Sequence, residues 1–259
     1  MPPVLPVFCL FQSTIPHTDF MNSSPVHSSQ TSIHADLERL VRKHAATEYL
    51  RPIPPFSAAV FAEICGTVQQ WLQEHPSASI VLDSCCGTGE STAHLARRHT
   101  NAFVIGIDKS AHRTKKHGQL EHNNDSTETR NYQVWRADCE DIWRLLPTLF
   151  REQKIICEKH YCLYPNPYPK PHHILRRWHG HPLFSHMLAL SAETEMRTNW
   201  RVYAEECAEA ARILGYTAHY QELSIDAPFG DAMTAFERKY AASGHTLYKI
   251  CMTKQHEFS

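Results

Sequence analysis

Three acidic residues stand where apolar segments end. Asp83 ends the segment "SIVLD", Asp108 ends "AFVIGID", and Asp138 ends the alternating segment "NYQVWRAD". If these segments are parallel strands, their carboxyl ends meet at one edge of a sheet, where the second acid can accept from ribose hydroxyls and the third from an adenine amino group. The pattern therefore predicts a ligand with an ammonium group, a ribose and an adenine. The alternative for each acid is a helix N-cap.

A glycine turn follows the first acid, in "DSCCGTGE". Small residues alternate in this turn, which lets backbone N–H groups approach a ligand at the start of a helix. No Gly-Lys-Ser/Thr follows, so the turn is not a phosphate loop, and Asp83 would repel the diphosphate of a dinucleotide. S-adenosylmethionine carries the three groups without a phosphate, and it is the predicted cofactor. The residues predicted to surround it are Asp83, Cys85, Gly87, Gly89, Asp108 and Asp138.

The segment "CLYPNPYPKPHH" is rigid, because prolines occupy every second position from 165 to 171. Each proline fixes its own φ and keeps the preceding residue extended. Asn166 is therefore held stiffly at a strand end, and we predict that it meets a nucleobase pulled out of its stack, with Tyr168 stacked or packed beneath. Lys170, Arg176 and Arg177 follow, and we predict that they contact RNA phosphates. The alternative is a solvated loop.

Strands and helices that could position these residues alternate from about residue 77 onward. Buried strand patterns are separated by helical ones, such as the amphipathic "WRVYAEECAEAARIL". This alternation predicts βαβ units and an α/β fold with a mainly parallel sheet. The last two strand patterns, "YTAHYQELS" and "HTLYKICMT", have no long helix between them, which predicts a terminal antiparallel pair.

Several blocks, in order along the chain, resemble one enzyme family. They are "VLDSCCGTGE", "GID", "RADCED", "LYPNPYPK" with a following "RR", "RTNWRVYAEE" and "TAFERKYAASGH". Over residues 78–252 the chain resembles class I S-adenosylmethionine-dependent methyltransferases, and among them the bacterial tRNA (guanine-N7-)-methyltransferase family. The resemblance implies a Rossmann-like fold with seven strands and helices on both faces. It also implies methyl transfer to guanine N7 in tRNA without a metal.

The chain departs from this family at three positions. Cys85 stands at a usual glycine, and Asn166 and Asn199 stand at two aspartates that the family uses for catalysis or substrate binding. Guanine N7 carries a lone pair and no proton, so transfer to it needs alignment and no general base. An amide oxygen still accepts a hydrogen bond from the guanine edge, although more weakly than a carboxylate. We predict Asn166 as the catalytic position and Asn199 as substrate-binding.

The resemblance also assigns Thr234 and Glu237 to the substrate. Their spacing, Thr-x-x-Glu, equally fits a capping box at a helix start. Two other functions stay open. One is a methyltransferase for another amine or a small molecule, and the other is a non-catalytic RNA-binding relative, which the two amides suggest.

The composition limits partners and compartment. Lys plus Arg is 26 and Asp plus Glu is 27, so the net charge of −1 excludes a general affinity for polyanions. Nine cysteines without a CxxC pair indicate a reduced, cytoplasmic compartment and argue against structural zinc. No apolar run is long enough to cross a membrane. tRNA is the predicted partner, and the sequence does not decide between monomer and homodimer.

We expect three parts along the chain. Residues 1–30, rich in Pro, Ser, Thr and His, are predicted to be a flexible leader. Residues 31–76 are predicted to form a helical extension, and residues 77–259 the methyltransferase domain.

Overall fold

One seven-stranded sheet organises the part of the chain that the computed structural model describes, residues 23–122 and 130–254. The strands are β1 (Ser79–Ser84), β2 (Ala102–Asp108), β3 (Tyr132–Arg136), β4 (Cys157–Leu163), β5 (Glu193–Thr198), β6 (Tyr216–Leu223) and β7 (Leu247–Lys254). Their order is β3-β2-β1-β4-β5-β7-β6. β7 runs antiparallel to β5 and β6, and the other pairs are parallel. The predicted mainly parallel sheet with a terminal antiparallel pair is confirmed.

The helices connect and flank these strands. They are α1 (Leu37–Ala45), α2 (Pro55–Glu74), α3 (Glu90–Arg98), α4 (Ala111–His122), α5 (Cys139–Gln153), α6 (Phe184–Ala189), α7 (Arg201–Ile213) and α8 (Ala235–Ala242). Two short 3₁₀ helices, Pro171–Arg176 and Trp178–Gly180, follow β4. Within the described residues, none of the helices has the length and apolar character that crossing a membrane requires.

Helices pack on both faces of the sheet, as predicted. Successive strand residues point to opposite faces, and β1 shows this directly. Leu82 lies in one buried cluster with Ile64 of α2 and Leu146 of α5. Its neighbour Val81 lies in a second cluster with Leu95 of α3. Burial on both faces explains why β1 and β2 read as continuous apolar runs.

The strand order creates a crevice beside β1. The chain builds β1, β2 and β3 outward in one direction, then returns to place β4 on the other side of β1. At such a switch point the carboxyl ends of the strands leave space for a ligand. Asp108 ends β2 and Asn166 follows β4, so these two predicted site residues approach the crevice from opposite sides of β1.

Residues 23–30 hydrogen-bond to the domain, which differs from the predicted flexible leader. Ser28 Oγ donates to Pro169 O at 2.5 Å, and Gln30 Nε2 donates to Glu206 Oε1 at 2.6 Å. The physical reason is that Glu206 is a fully buried carboxylate of α7, which needs donors. Residues 1–22 of the predicted leader lie outside the described residues, and the domain boundary at residue 77 stays a prediction.

Candidate active site

A cavity of about 630 Å³ lies at the carboxyl ends of the central strands, a size typical of small-molecule sites. The predicted site residues that line it are Cys85, Gly87, Asp108, Asp138, Asn166, Arg176 and Thr234. Those outside its lining are Asp83, Gly89, Lys170, Arg177, Asn199 and Glu237. The cavity therefore joins part of the predicted cofactor set with part of the predicted substrate set.

Asp108 is a buried carboxylate on the cavity wall, 2% exposed. Its Oδ2 accepts from Gly87 N at 3.0 Å, and its Oδ1 accepts from Ser110 N at 2.8 Å. Arg113 Nη2 lies 3.3 Å from Oδ1. Burial raises the pKa of Asp108. These bonds fix the carboxylate, and Oδ2, which has one partner, keeps lone-pair capacity for a ligand hydroxyl.

Asp138 both caps a helix and lines the cavity. Its Oδ1 accepts from Glu140 N at 3.1 Å at the start of α5. Burial raises the pKa of Asp138, and Arg51 Nη2 lies 3.8 Å from its Oδ2. The helix N-cap, predicted as the alternative role of Asp138, is therefore confirmed, and the residue also lines the cavity. Because Oδ1 holds the helix, Oδ2 is the oxygen suited to an adenine amino group.

The turn after β1 has left-handed backbone at Cys85, Gly87 and Gly89, with φ of +62°, +63° and +76°. A Cβ at Gly89 would lie 2.5 Å from His117 Nδ1 and 2.8 Å from Val134 Cγ2. Gly89 is therefore required by packing against α4 and β3; it lies outside the cavity lining, and its cofactor contact stays a prediction. Cys85 adopts a conformation that costs a residue with a Cβ about 1–2 kcal/mol.

Asp83 lies under this turn and does not touch the cavity, which corrects its predicted direct contact with the cofactor. The side chain is fully buried, and its Oδ2 accepts from Ser91 Oγ at 2.6 Å and from Thr92 Oγ1 at 2.8 Å. Burial raises the pKa of Asp83 to about 7. The carboxyl group thus ties the start of α3 to β1 and shapes the turn above it.

Cys85 places a thiol in the cavity beside two other thiols. Its Sγ lies 3.9 Å from Cys139 Sγ. Hydrogen bonds from Cys139 and Cys162 lower the pKa of Cys85, and the same bonds raise the pKa of each of those partners. A lowered pKa favours the thiolate form, and a negative charge there would attract a cationic ligand group. The sulfonium of S-adenosylmethionine is such a group.

The proline segment forms the other wall. Asn166 is exposed, and its Oδ1 accepts from Tyr168 N at 3.3 Å. Tyr168 has φ +44°, a left-handed conformation that marks local strain in an aromatic residue. The Arg176 guanidinium lies 5.4 Å from the centroid of the Tyr168 ring. This wall therefore presents an amide, an aromatic ring and a cation together.

Arg177 is completely buried, which corrects its predicted contact with phosphate. Its Nε donates to Tyr168 O at 3.2 Å, and its Nη1 donates to Glu206 Oε2 at 2.6 Å. Burial alone would raise the pKa of Glu206, but the bond from His179 and the charge of Arg177 bring it down to about 2. Arg177 thus anchors the proline segment from behind, while Arg176 lines the cavity.

Asn199 holds a neighbouring ring and lies outside the cavity lining, and its substrate contact stays a prediction. Its Nδ2 lies 3.1 Å from His245 Nδ1, and His245 Nε2 lies 2.8 Å from Ser23 O. A carbonyl oxygen only accepts, so Nε2 donates to it and Nδ1 accepts from Asn199. Lys170 is exposed on the proline segment outside the cavity lining, and its phosphate contact stays a prediction.

Thr234 is the N-cap of α8, and Glu237 accepts from the N–H of Met233, one residue before the cap. Thr234 Oγ1 accepts from Glu237 N at 2.9 Å, and Thr234 also lines the cavity. Glu237 is fully buried and accepts from Arg197 Nη1 and from Tyr164 OH, both at 2.8 Å. Its predicted substrate contact is therefore corrected, because its oxygens instead join α8 to the ends of β4 and β5.

Several lining residues were not singled out by the sequence. They are Lys109, Arg113, Leu175, Trp178 and Phe236, among others. Lys109 directly follows a predicted strand-end acid, and Phe236 lies inside the block "TAFE", so the sequence contained evidence that both lie near the site. It contained no such evidence for Leu175 and Trp178, because their position depends on how the two 3₁₀ helices fold back over the sheet.

One group of possible metal ligands occurs in the described ranges, and it lies outside the cavity lining. It consists of Glu193, Glu195 and Cys251 on β5 and β7. Lys159 Nζ lies 2.7 Å from Glu193 Oε1 and 3.2 Å from Glu195 Oε2. These carboxylates are therefore already paired with an ammonium group.

Comparisons with known proteins agree with this geometry. The model of a family described as "Putative methyltransferase" matches residues 77–250. Trans-aconitate 2-methyltransferase of Deinococcus radiodurans is 47% identical over 51 residues, and the match covers 20% of this chain and only 19% of that protein.

Two solved structures show a similar fold. The 16S rRNA (adenine(1408)-N(1))-methyltransferase of Catenulisporales acidiphilia, solved with its cosubstrate SAM, has a TM-score of 0.52 and 14% identity, over 74% of this chain and 92% of that chain. The 16S rRNA methyltransferase KamB has a TM-score of 0.51 and 16% identity, over 72% of this chain and 94% of that chain. At these identities the likeness concerns the fold alone.

Proposed function

Because this chain belongs to the family of the tRNA (guanine-N7-)-methyltransferases, class I enzymes that use S-adenosylmethionine, we propose that it methylates N7 of a guanine in tRNA. The cofactor is S-adenosylmethionine. The observation that carries the proposal is the single cavity shared by Asp108, Asp138 and Asn166. It supports a site where a nucleoside-bearing methyl donor and a nucleobase meet.

The cofactor side of the cavity fits the donor. Asp108 at β2 and Asp138 at β3 offer carboxylate oxygens for ribose hydroxyls and an adenine amino group. The neighbouring Cys85 thiol, whose pKa is lowered by hydrogen bonds from Cys139 and Cys162, suits a cationic sulfur. S-adenosylmethionine supplies an electrophilic methyl group, which N7 accepts with its lone pair while the carbon–sulfur electron pair stays on sulfur.

The substrate side of the cavity needs only to bind guanine and to orient its N7, because no general base is required. Asn166 Oδ1 already accepts one hydrogen bond, from Tyr168 N, and a carbonyl oxygen can accept a second. It can therefore accept from guanine N1–H or from the guanine amino group and turn N7 toward the donor. No proton leaves N7, so the exchange of a carboxylate for an amide at this position keeps alignment and weakens binding.

Basic side chains that could contact the RNA backbone lie in and near the same cavity. Arg176, Lys109 and Arg113 line it, and Lys170 is exposed nearby. Such side chains position RNA through its phosphates and carry no sequence information. They supply locally the positive charge that the net charge of −1 conceals.

The proposal is tested by radiolabelled methyl transfer to total tRNA, followed by nucleoside analysis. We expect label in N7-methylguanosine with the wild-type protein. Asn166→Ala removes the acceptor and should lower kcat/KM by about tenfold or more, whereas Asn166→Asp restores a charged acceptor and should keep or raise the rate. Label in another nucleoside would favour an amine acceptor. Cofactor binding without any transfer would favour a non-catalytic RNA-binding protein.

A further inference from the structure

Phe236 is an apolar side chain left largely in water at the cavity wall. It is 49% exposed and is the second residue of α8. Removing a phenylalanine ring from water is favourable, so an exposed ring that lines a cavity is a candidate contact for a ligand.

The ring of Phe236 is held in place by two further rings. It stacks on Tyr240, with centroids 6.1 Å apart and planes at 25°, and Tyr240 stacks on His245 at 5.3 Å and 13°. His245 is fixed in turn by hydrogen bonds with Asn199 and with Ser23 O. We call these three rings the aromatic stack. The stack orders Phe236 before any ligand arrives, which lowers the entropy lost on binding.

Phe236, the member of the aromatic stack that lines the cavity, lies on its substrate half. Glu237, next to Phe236, accepts hydrogen bonds from Tyr164 after β4 and from Arg197 of β5. Asp108 ends β2 and Asp138 follows β3, on the other side of β1. The adenine predicted to bind beside Asp138 would therefore contact a different wall of the cavity from the one that carries Phe236.

We propose that Phe236 is a stacking site for a nucleobase of the RNA at the mouth of the cavity, with Tyr240 and His245 as its support. The proposal rests on the proposed function for the nature of the ligand. A nucleobase offers a flat π-face to the ring, and the phosphates of the RNA backbone can meet Arg176, which lines the same cavity. A purely apolar ligand would make no ionic contact with this guanidinium.

The test is equilibrium RNA binding in the presence of S-adenosylhomocysteine, with no requirement for turnover. The probes are total tRNA and a short single-stranded oligoribonucleotide containing guanine. Phe236→Ala should weaken binding of both by about tenfold, the scale found when an aromatic platform is truncated to alanine. Phe236→Trp should bind within about threefold of wild type, because it keeps a π-face.

A matched control is Ile156→Ala. Ile156 is 70% exposed and precedes β4, at the edge of the sheet away from the cavity, so RNA binding should not change. The affinity for S-adenosylmethionine should be equal in all variants, which also shows that they fold.

Unchanged RNA affinity of Phe236→Ala for both probes would overturn the stacking site. That result is distinct from failure of the proposed function, which is read from the nucleoside that the wild-type protein labels. A wild-type protein that forms N7-methylguanosine while Phe236→Ala binds RNA normally would refute the inference alone.

Discussion

At position 85 a cysteine occupies a left-handed backbone conformation, φ +62°, that a glycine adopts without strain. The sequence indicated this position as a departure from the family pattern, and the structure gives the departure a physical cost. The side chain also brings its thiol next to Cys139. Substitutions at residue 85 can therefore separate the effect of backbone strain from the effect of the thiol.

We expect Cys85→Gly to be more stable than Cys85→Ala. Both variants lose the thiol, but only glycine relieves the left-handed strain, and its greater freedom in the unfolded chain offsets part of the gain. The expected difference is about 1 kcal/mol in the free energy of unfolding, measured by urea denaturation. Equal stability would mean that the backbone at residue 85 is not strained.

Asp83 should make stability depend on pH. Burial raises its pKa to about 7 in the folded protein, above the ordinary value of 3.8. The folded state therefore holds the proton more tightly, and the stability linked to it is present below about pH 4 and is lost as the pH rises toward 7.

The matched variant is Asp83→Asn, whose amide oxygen can still accept from Ser91 and Thr92. Relative to this variant, the wild-type protein should lose stability between pH 5 and pH 8 in urea denaturation. Parallel stability curves for the two proteins over that range would contradict the assignment.

Among the elements, the proline segment depends most on contacts that the sequence could not reveal. Its rigidity was predictable from alternate prolines, but its attachment to Arg177, Glu206 and residues 28–30 was not. Arg177 and Glu206 lie 29 positions apart in the chain, and the bonds to Ser28 and Gln30 span 141 and 147 positions. Local sequence patterns carry no signal for such contacts. For the same reason Arg177 appeared equivalent to Arg176 in the sequence.

Glu206→Gln should destabilise the protein strongly. It leaves Arg177 buried without its carboxylate, and removing one partner of a buried pair costs about 3–5 kcal/mol. Glu38→Gln is the control, because Glu38 pairs with Arg42 on the exposed side of α1 and its loss should matter little. Thermal and urea unfolding would measure both, and a similar small loss for the two variants would contradict the anchoring role of Arg177.

The stability of the protein should depend on the N-cap of α8. Thr234→Ala removes the acceptor for Glu237 N and should cost about 1 kcal/mol of stability, whereas Thr234→Ser keeps the hydroxyl and most of the stability. Because Phe236 follows two residues later, the alanine variant should also weaken RNA binding. Equal stability of the alanine and serine variants in urea denaturation would show that the capping bond contributes nothing.

At the scale of the whole molecule, the alternation of strands and helices was sufficient to predict the sheet and its antiparallel end. The strand-end position of Asp108 and Asp138 was sufficient to predict that they line one cavity. The burial of each side chain could not be predicted from the sequence. Asp83, Arg177 and Glu237 have the residue types of a ligand site, yet each is buried and paired within the protein. A sequence pattern shows which groups are charged, and the packed structure is needed to show which of them are accessible to solvent.

We expect the cofactor to bind where β2 ends, at Asp108, in the cavity shared with Asn166. Isothermal titration calorimetry of S-adenosylmethionine tests it with wild-type protein, Asp108→Asn and the control Asp226→Asn, which changes an exposed acid outside the cavity lining. Hydrogen bonds to a charged group contribute enough that Kd should rise about tenfold or more for Asp108→Asn alone. An identical Kd for all three proteins would show that the cofactor does not bind at Asp108.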